Sequence, residues 1–534
     1  MNDAILTVGS GQLLNDDERI ALRRRAWLGF LCMIFGNFMA ILDIQIVASS
    51  LNEIQAGLSA SADEISWVQT AYLIAEVIAI PLSGYLSRIL STRVYFVISA
   101  IGFTLASVGC AMAWSINSMT VFRVLQGFLG GGMIPTTLSA LFIMFPEQDR
   151  RIMPQVLVGM VSTLGPTIGP TVGGYLTAAL SWHWLFLINV VPGILVALTV
   201  WNLVNIDKPD WTLAHTIDKL GVTLMALFLG TLEYVLEEGP RKDWLNDPLL
   251  AVLAAISTVA GLAFFWRAFT SANPVLNLRV FHNRNFAIGC TVAFMLGIGL
   301  YGMIYLLPLF LGRVRGFDSL QIGQVMMVSG AAMFLAAPLA GRLARHMDMR
   351  LMFGLGLVTV SFGVWMNSRM TDETGYAQLF VPQLLRGAGM IFCYLPMTNL
   401  SMGTLRQDEM KDASGLFNLM RNLGGAIGLA IVGTLMQWRE AFHYSHLAES
   451  VNMSRDIVRE TLNGSAASLG VALGPDAGHR AALKLITMRV DLQALTLTFN
   501  DMFLLLAVVF FIGSAAPFLL EKPSANSQAD AAAH

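Results

Sequence analysis

Charge is scarce in this 534-residue chain. Asp, Glu, Lys and Arg make up only 13% of it, whereas residues in the set AVILMFWYC make up 55%. Soluble domains carry about 25% charged residues. The shortfall excludes a disordered protein and speaks against a soluble globular enzyme. The net charge is −2, so the whole-chain balance provides no electrostatic case for nucleic acid. Cysteine is also sparse: Cys32, Cys110, Cys290 and Cys393 all lie inside apolar runs, which leaves neither a disulfide framework nor a zinc spacing. His443 and His446 stand three apart without a third ligand in sight, so no metal site is expected. No Gly-x4-Gly-Lys-Ser/Thr segment occurs, which excludes a P-loop for nucleotide.

Long apolar runs take the place of charge. A helix needs roughly 20 apolar residues to cross the hydrocarbon core, and fourteen candidates lie near 27–47, 67–87, 94–113, 119–145, 154–179, 183–204, 217–236, 248–269, 285–312, 320–341, 351–368, 377–403, 413–437 and 500–520. The expectation is an all-α polytopic membrane protein. The first run follows Arg23-Arg24-Arg25 and lacks a small-residue cleavage site before Leu51, so it reads as a retained span, not a signal peptide. An even number of spans puts both termini on one side. With the N-terminus taken as cytoplasmic, nineteen Lys and Arg fall on that side against five in short loops opposite. The positive-inside rule then makes both termini cytoplasmic.

Two stretches align without a gap at an offset of 257 residues. Pro81-Leu82-Ser83-Gly84-Tyr85-Leu86-Ser87-Arg88, running on to Arg93 and Phe96, matches Pro338-Leu339-Ala340-Gly341-Arg342-Leu343-Ala344-Arg345, running on to Arg350 and Phe353. A weaker echo pairs Gly165, Gly169 and Gly174 with Gly424, Gly428 and Gly433. Two six-span halves in parallel repeat account for both. The resulting organisation is a cytoplasmic segment 1–26, an N-terminal bundle 27–204, two inserted spans 217–269, a C-terminal bundle 285–520 with an outside segment 438–499, and a tail 521–534.

These residues resemble the major facilitator superfamily, specifically its fourteen-span drug:proton antiporters of the EmrB/QacA type. The likeness is carried by Ala40-Ile41-Leu42-Asp43 in span 1; by Arg123-Val124-Leu125-Gln126-Gly127 with Gly130-Gly131-Gly132 in span 4; by Gly165-Pro166-Thr167-Ile168-Gly169-Pro170-Thr171-Val172-Gly173-Gly174 in span 5; and by Trp182-His183-Trp184 through Asn189 and Gly193 at span 6. It departs in three places. The loop after span 2 has Arg88 where the family has Asp and Ser91 where it has Gly. His183 replaces an Arg, and Glu76 stands mid-span where a neutral residue is usual. The resemblance implies two bundles moving by alternating access and proton-driven export of amphipathic or toxic molecules from a bacterial inner membrane without a cofactor. It also implies, for Gram-negative relatives, a periplasmic adaptor and an outer-membrane channel as partners beside membrane lipid.

Ionisable groups inside spans cost on the order of 2.5–3.5 kcal/mol on insertion scales and are functional candidates by default. Asp43 and Arg123 lie about four residues from the outer ends of antiparallel spans, hence at similar depth. Burial and a neighbouring guanidinium compete over the charge of a carboxyl, which suits Asp43 to proton coupling with Arg123 holding its ionised form; a static ion pair is the alternative. Glu76, near the bilayer middle, suits a proton or a cationic substrate, or else a hydrogen bond to a neighbouring helix. Glu233 is expected near an interface and solvated. Arg386 and Arg421 suit an anionic group or a buried carbonyl. Gln126, Arg386, Met303 and Met397 are candidate substrate contacts, because methionine adapts to many shapes. Gly165, Pro166, Gly169, Pro170, Gly173 and Gly174 suit a tightly packed gating helix, and Gly84, Arg88 and Arg93 a basic loop beside it. A symporter or uniporter for a metabolite is the competing reading within the same fold. A receptor or intramembrane enzyme is the competing reading outside it, though no nucleophile–base set stands out.

Overall fold

The computed structural model describes residues 16–521 apart from 62–63 and 272, together with Thr7–Val8 and Gln12–Leu13. The expected tail beyond residue 521 and most of residues 1–15 lie outside the described residues. A two-residue antiparallel pairing of Thr7–Val8 with Gln12–Leu13 precedes the first helix; everything after it is helical. Among the described residues, fourteen helices are long and apolar enough to cross a membrane: Arg24–Ala48, Ser66–Leu90, Thr92–Ala111, Ile116–Met144, Arg150–Ala179, Trp184–Leu203, Lys219–Glu238, Pro248–Thr270, Arg284–Arg313, Leu320–His346, Met349–Asn367, Tyr376–Met402, Met410–Ser450 and Pro475–Leu519. They are numbered here as spans 1 to 14. Alternate spans run in opposite directions, so one face carries the basic loops and is called the basic face; the other is the far face.

Local chemistry sets several boundaries. Ser115 caps span 4 through a reciprocal box with Ser118, and Asp318 caps span 10 through one with Gln321, each satisfying amide groups that a helix start leaves bare. Span 5 remains one uninterrupted helix in spite of Pro154, Pro166 and Pro170. Span 6 is broken between Leu187 and Val190, and Asn189 sits in that break. Spans 13 and 14 are long, continuing well past the bundle on the far face. There the helix Asp456–Leu473 packs against the first part of Pro475–Gly513. The last span therefore starts earlier than an apolar ruler suggests, because an amphipathic helix runs into it without a break.

Spans 1–6 and 9–14 form two six-helix bundles, and spans 7 and 8 form an inserted hairpin. Glycine governs how closely the helices approach. On span 5, a Cβ at Gly165 would lie 2.6 Å from Ile41 Cγ2 and one at Gly173 2.6 Å from Ser49 Oγ, with Gly169 meeting Gln45 between them. Span 13 repeats this against span 9, where Gly424 meets Phe294 and Gly428 meets Ile298. The glycine echo in the sequence is thus one packing solution used in each half: small residues let helix backbones touch where lipid offers no hydrophobic drive. The longer repeat lies at the two seams between halves. Gly84 of span 2 abuts the start of span 13, with its added Cβ 2.7 Å from the Lys411 carbonyl oxygen, and Gly341 of span 10 faces Ile152 of span 5.

Gly169→Leu forces spans 1 and 5 apart, and overpacking of this kind costs about 1–3 kcal/mol. A lowered thermal midpoint of the detergent-purified protein is expected. Gly464→Ala has nothing within 4 Å in a helix interior, where Ala is favoured over Gly by about 1 kcal/mol, and should leave the midpoint unchanged or higher.

Candidate functional site

Asp43 and Arg123 are both wholly buried, and Arg123 Nη1 stands 2.8 Å from Asp43 Oδ2. A charge removed from water needs a partner and further hydrogen bonds to offset its lost hydration, and both ions have them. Asp43 Oδ1 accepts from Asn189 Nδ2 at 2.7 Å and from Gln126 Nε2 at 3.0 Å. Arg123 Nε donates to the Val68 carbonyl at 2.8 Å, and its Nη1 also donates to Gln126 Oε1. Gln126 in turn reaches Ser107 Oγ at 2.8 Å. The Tyr72 ring lies 4.2 Å from the guanidinium carbon, a cation–π contact in a dry site. One network thereby ties spans 1, 2, 3, 4 and 6. Gln126, expected to touch substrate, is instead a structural member of it. Asn189 was visible only as part of the span-6 motif; the helix break turns it into this shell.

Between the halves lies a cavity of about 900 Å³. Its lining runs from Ile134, Ser162 and Arg421 at mid-depth to Leu51, Arg241, Arg313 and Glu440 at the far rim. Pro166 and Pro170 line it, as do Met390, Cys393, Tyr394 and Met397. Glu76 lines it too, 5% exposed and with no hydrogen bond to any described residue. Asp43 and Arg123 are set behind this wall, while Glu76 forms part of it, one helical turn from Tyr72.

Towards the basic face the cavity is closed by contacts that cross from one half to the other. Arg88 Nη1 pairs with Asp412 Oδ2 at 2.8 Å, the carboxylate nearly inaccessible. Lys411 pairs with Asp207 and donates to the Ser87 carbonyl, and Asp207 also binds Thr92 through its backbone and hydroxyl. Deeper in, Gln155 bonds Thr398 and Asn399. Arg88, at the end of span 2 where the family has Asp, thus makes an ion pair across the seam, with the acid supplied by span 13. Arg93 stays within its own half, stacked 5.1 Å from the Trp201 ring.

Of Gln126, Arg386, Met303 and Met397, only Met397 lines the cavity. Arg386 donates to Ser329 Oγ at 2.8 Å in the packing of span 12 on span 10, and Met303 is 1% exposed in the core beside it, not in the lining. Helix periodicity does not tell the lipid, core and cavity faces of an all-apolar span apart, which is why these two were misplaced. Gly165, Gly169 and Gly173 face span 1, and the Gly174 carbonyl accepts from Thr177. Glu233 corrects a further expectation. It is 6% exposed and lines the cavity, not solvated at an interface; a carboxyl five residues inside an apolar run was the signal.

Residues 33–429 match the family described as Major Facilitator Superfamily. The chain is 46% identical over 499 residues to the protein named colistin resistance protein EmrB of Acinetobacter baumannii, covering 93% of this chain and 97% of that one. It is 30% identical over 428 residues to the multidrug export protein EmrB of Haemophilus influenzae, covering 79% and 82%. Among solved structures, the human organic anion transporter MFSD10 superposes with a TM-score of 0.56 at 12% identity, covering 91% of this chain and 99% of that one, a likeness of fold.

Arg123→Met strands the Asp43 carboxylate among neutral donors, and breaking a buried pair from one side costs about 3–5 kcal/mol. A large drop in unfolding stability is expected, with Asp43→Asn/Arg123→Met recovering part of it. Additive losses in that double-mutant cycle would show that the pair is not coupled.

Proposed function

The chain belongs to the major facilitator superfamily, among its multidrug efflux proteins, and on that premise we propose that it exports amphipathic toxic molecules across a bacterial cytoplasmic membrane in exchange for protons. The observation that carries the reading is the pairing of a large, mostly apolar cavity with carboxyls inside the membrane. Apolar walls with a few polar groups accept many ligands, and buried carboxyls are the side chains that can load and release a proton there.

The basic face is read as cytoplasmic under the positive-inside rule, with both termini on that side. The cavity then reaches the periplasmic face, and the Arg88–Asp412 and Gln155–Asn399 contacts hold the inner side shut. Export requires them to part, while the seam on the far face closes. Coupling is assigned to Glu76, which meets the cavity, and to Asp43 behind it. Arg123 holds Asp43 directly, and Glu76 lies within electrostatic reach of Arg421 first and of Arg123 second. A proton arriving at either carboxyl changes the charge that Arg123 must balance, and so shifts the balance between the two bundle arrangements. Span 5, with its glycines against span 1 and its prolines at the cavity, is the gate along one seam. The proton gradient supplies the energy, with no cofactor. The helical hairpin on the far face exposes Ile457, Val471 and Leu473. It is the element a periplasmic adaptor would contact on the way to an outer-membrane channel.

Cells expressing the protein should accumulate less of a lipophilic dye than cells without it, and a proton uncoupler should abolish the difference. In vesicles, Asp43→Asn is expected to lose pH-gradient-driven transport by at least tenfold. Full proton-dependent transport by that variant would rule out Asp43 as a coupling group, and proton flux in the same direction as substrate would make the protein a symporter.

A further inference from the structure

The two inserted spans look at first like a linker between bundles, yet they occupy a specific place. Span 7 lies along span 2, where Gly230 faces Ile74 and Ile78 and Tyr234 stacks on Trp67 with ring centroids 5.2 Å apart. At the far face the hairpin crosses to the other half: Trp244 Nε1 donates to Thr434 Oγ1 at 2.9 Å, and Gln437 Nε2 donates to the Pro240 carbonyl at 2.9 Å. Asp243 and Trp244 both hold positive φ, 56° and 55°, a conformation costly for side chains of this size that delivers Trp244 to span 13. The hairpin therefore closes the gap between spans 2 and 13 and becomes cavity wall.

Three glutamates stand near the end of span 7; Glu237 lines the cavity one turn beyond Glu233, and the other two differ in a telling way. Glu238 is satisfied by Arg241 at 2.7 Å and by Lys242. Glu233 lines the cavity, 6% exposed, without a hydrogen bond or ion pair to any described residue. Glu76 on the adjoining span 2 is in the same condition at 5%. A buried carboxylate without a donor is unfavourable unless something else supplies the charge. The wall around these two holds Leu300, Ile304, Tyr301 and Tyr305. Apolar side chains offer nothing to a hydrated metal ion, but they bury an organic skeleton, and tyrosine faces attract an organic cation. Arg421, the deepest cavity residue of span 13, has its charge within reach of Glu76, whereas the charges that reach Glu233, five residues from the far end of its helix and a rise of about 8 Å from it, are those of Glu237 and Glu76. A cation therefore gains most on the span 7 side.

We propose that the inserted hairpin is part of the substrate site, and that Glu233 of span 7, together with Glu76 of span 2, seats the positive charge of a lipophilic organic monocation. This rests on the export reading for its biological meaning, but binding to the purified protein tests it separately. The probes are tetraphenylphosphonium and tetraphenylborate, ions of nearly the same shape and opposite charge, measured by equilibrium dialysis on the full chain in detergent. Wild-type protein should bind tetraphenylphosphonium. Glu233→Gln should weaken that binding at least tenfold while tetraphenylborate binding stays within twofold, and Glu233→Asp should retain most of the cation affinity. Tetraphenylphosphonium binding within twofold of wild type in Glu233→Gln would overturn the proposal. So would equal weakening of both ions, which marks a distorted wall, or no binding of the cation by wild type. Charge-selective binding without energised transport in vesicles would sink the export reading and leave the subsite standing; drug transport with charge-blind binding would do the reverse.

Discussion

A carboxylate and a guanidinium, both cut off from solvent, sit together in the N-terminal half, and the arrangement of that half follows from keeping them satisfied. In a low-dielectric interior neither ion is tolerable alone, so spans 1, 2, 3, 4 and 6 each contribute an atom to the pair formed by Asp43 and Arg123. The break in span 6 and Gly127 of span 4, which meets the Tyr72 backbone, are the backbone features that bring those atoms together. Among the described residues no equivalent network organises the C-terminal half: Arg386 bonds a serine and Arg421 faces the cavity. The two halves share a packing plan but not a charge plan, as expected if one half carries most of the proton chemistry.

Between the halves, the balance of contacts decides which face is open. On the basic face, Arg88, Asp412, Lys411 and Asp207 join loop to helix ends across the seam, and Gly84 lets backbones meet there. Such contacts are polar and peripheral, strong enough to favour one arrangement and separable when the bundles rock.

The inserted hairpin changes the cavity's character. It fills the gap between spans 2 and 13, adds the carboxyls of Glu233 and Glu237 to the wall, and is fastened to both halves at the far face.

Much of this was legible in the residues themselves. Long apolar runs determined the number of spans, because hydrocarbon thickness leaves no other solution. The skew of Lys and Arg distinguished the basic face, the 257-residue offset revealed the two halves, and the equal depth of Asp43 and Arg123 on antiparallel helices foretold their meeting. Tertiary structure alone decided which way each helix turns about its own axis. Lipid and protein core are equally apolar, so an apolar helix carries little information about which side faces which. That is why Gln126, Arg386 and Met303 lie away from the cavity while Glu233 lines it, and why Asp412 and Asn189, ordinary residues in the chain, became partners of Arg88 and Asp43 only once the helices had packed.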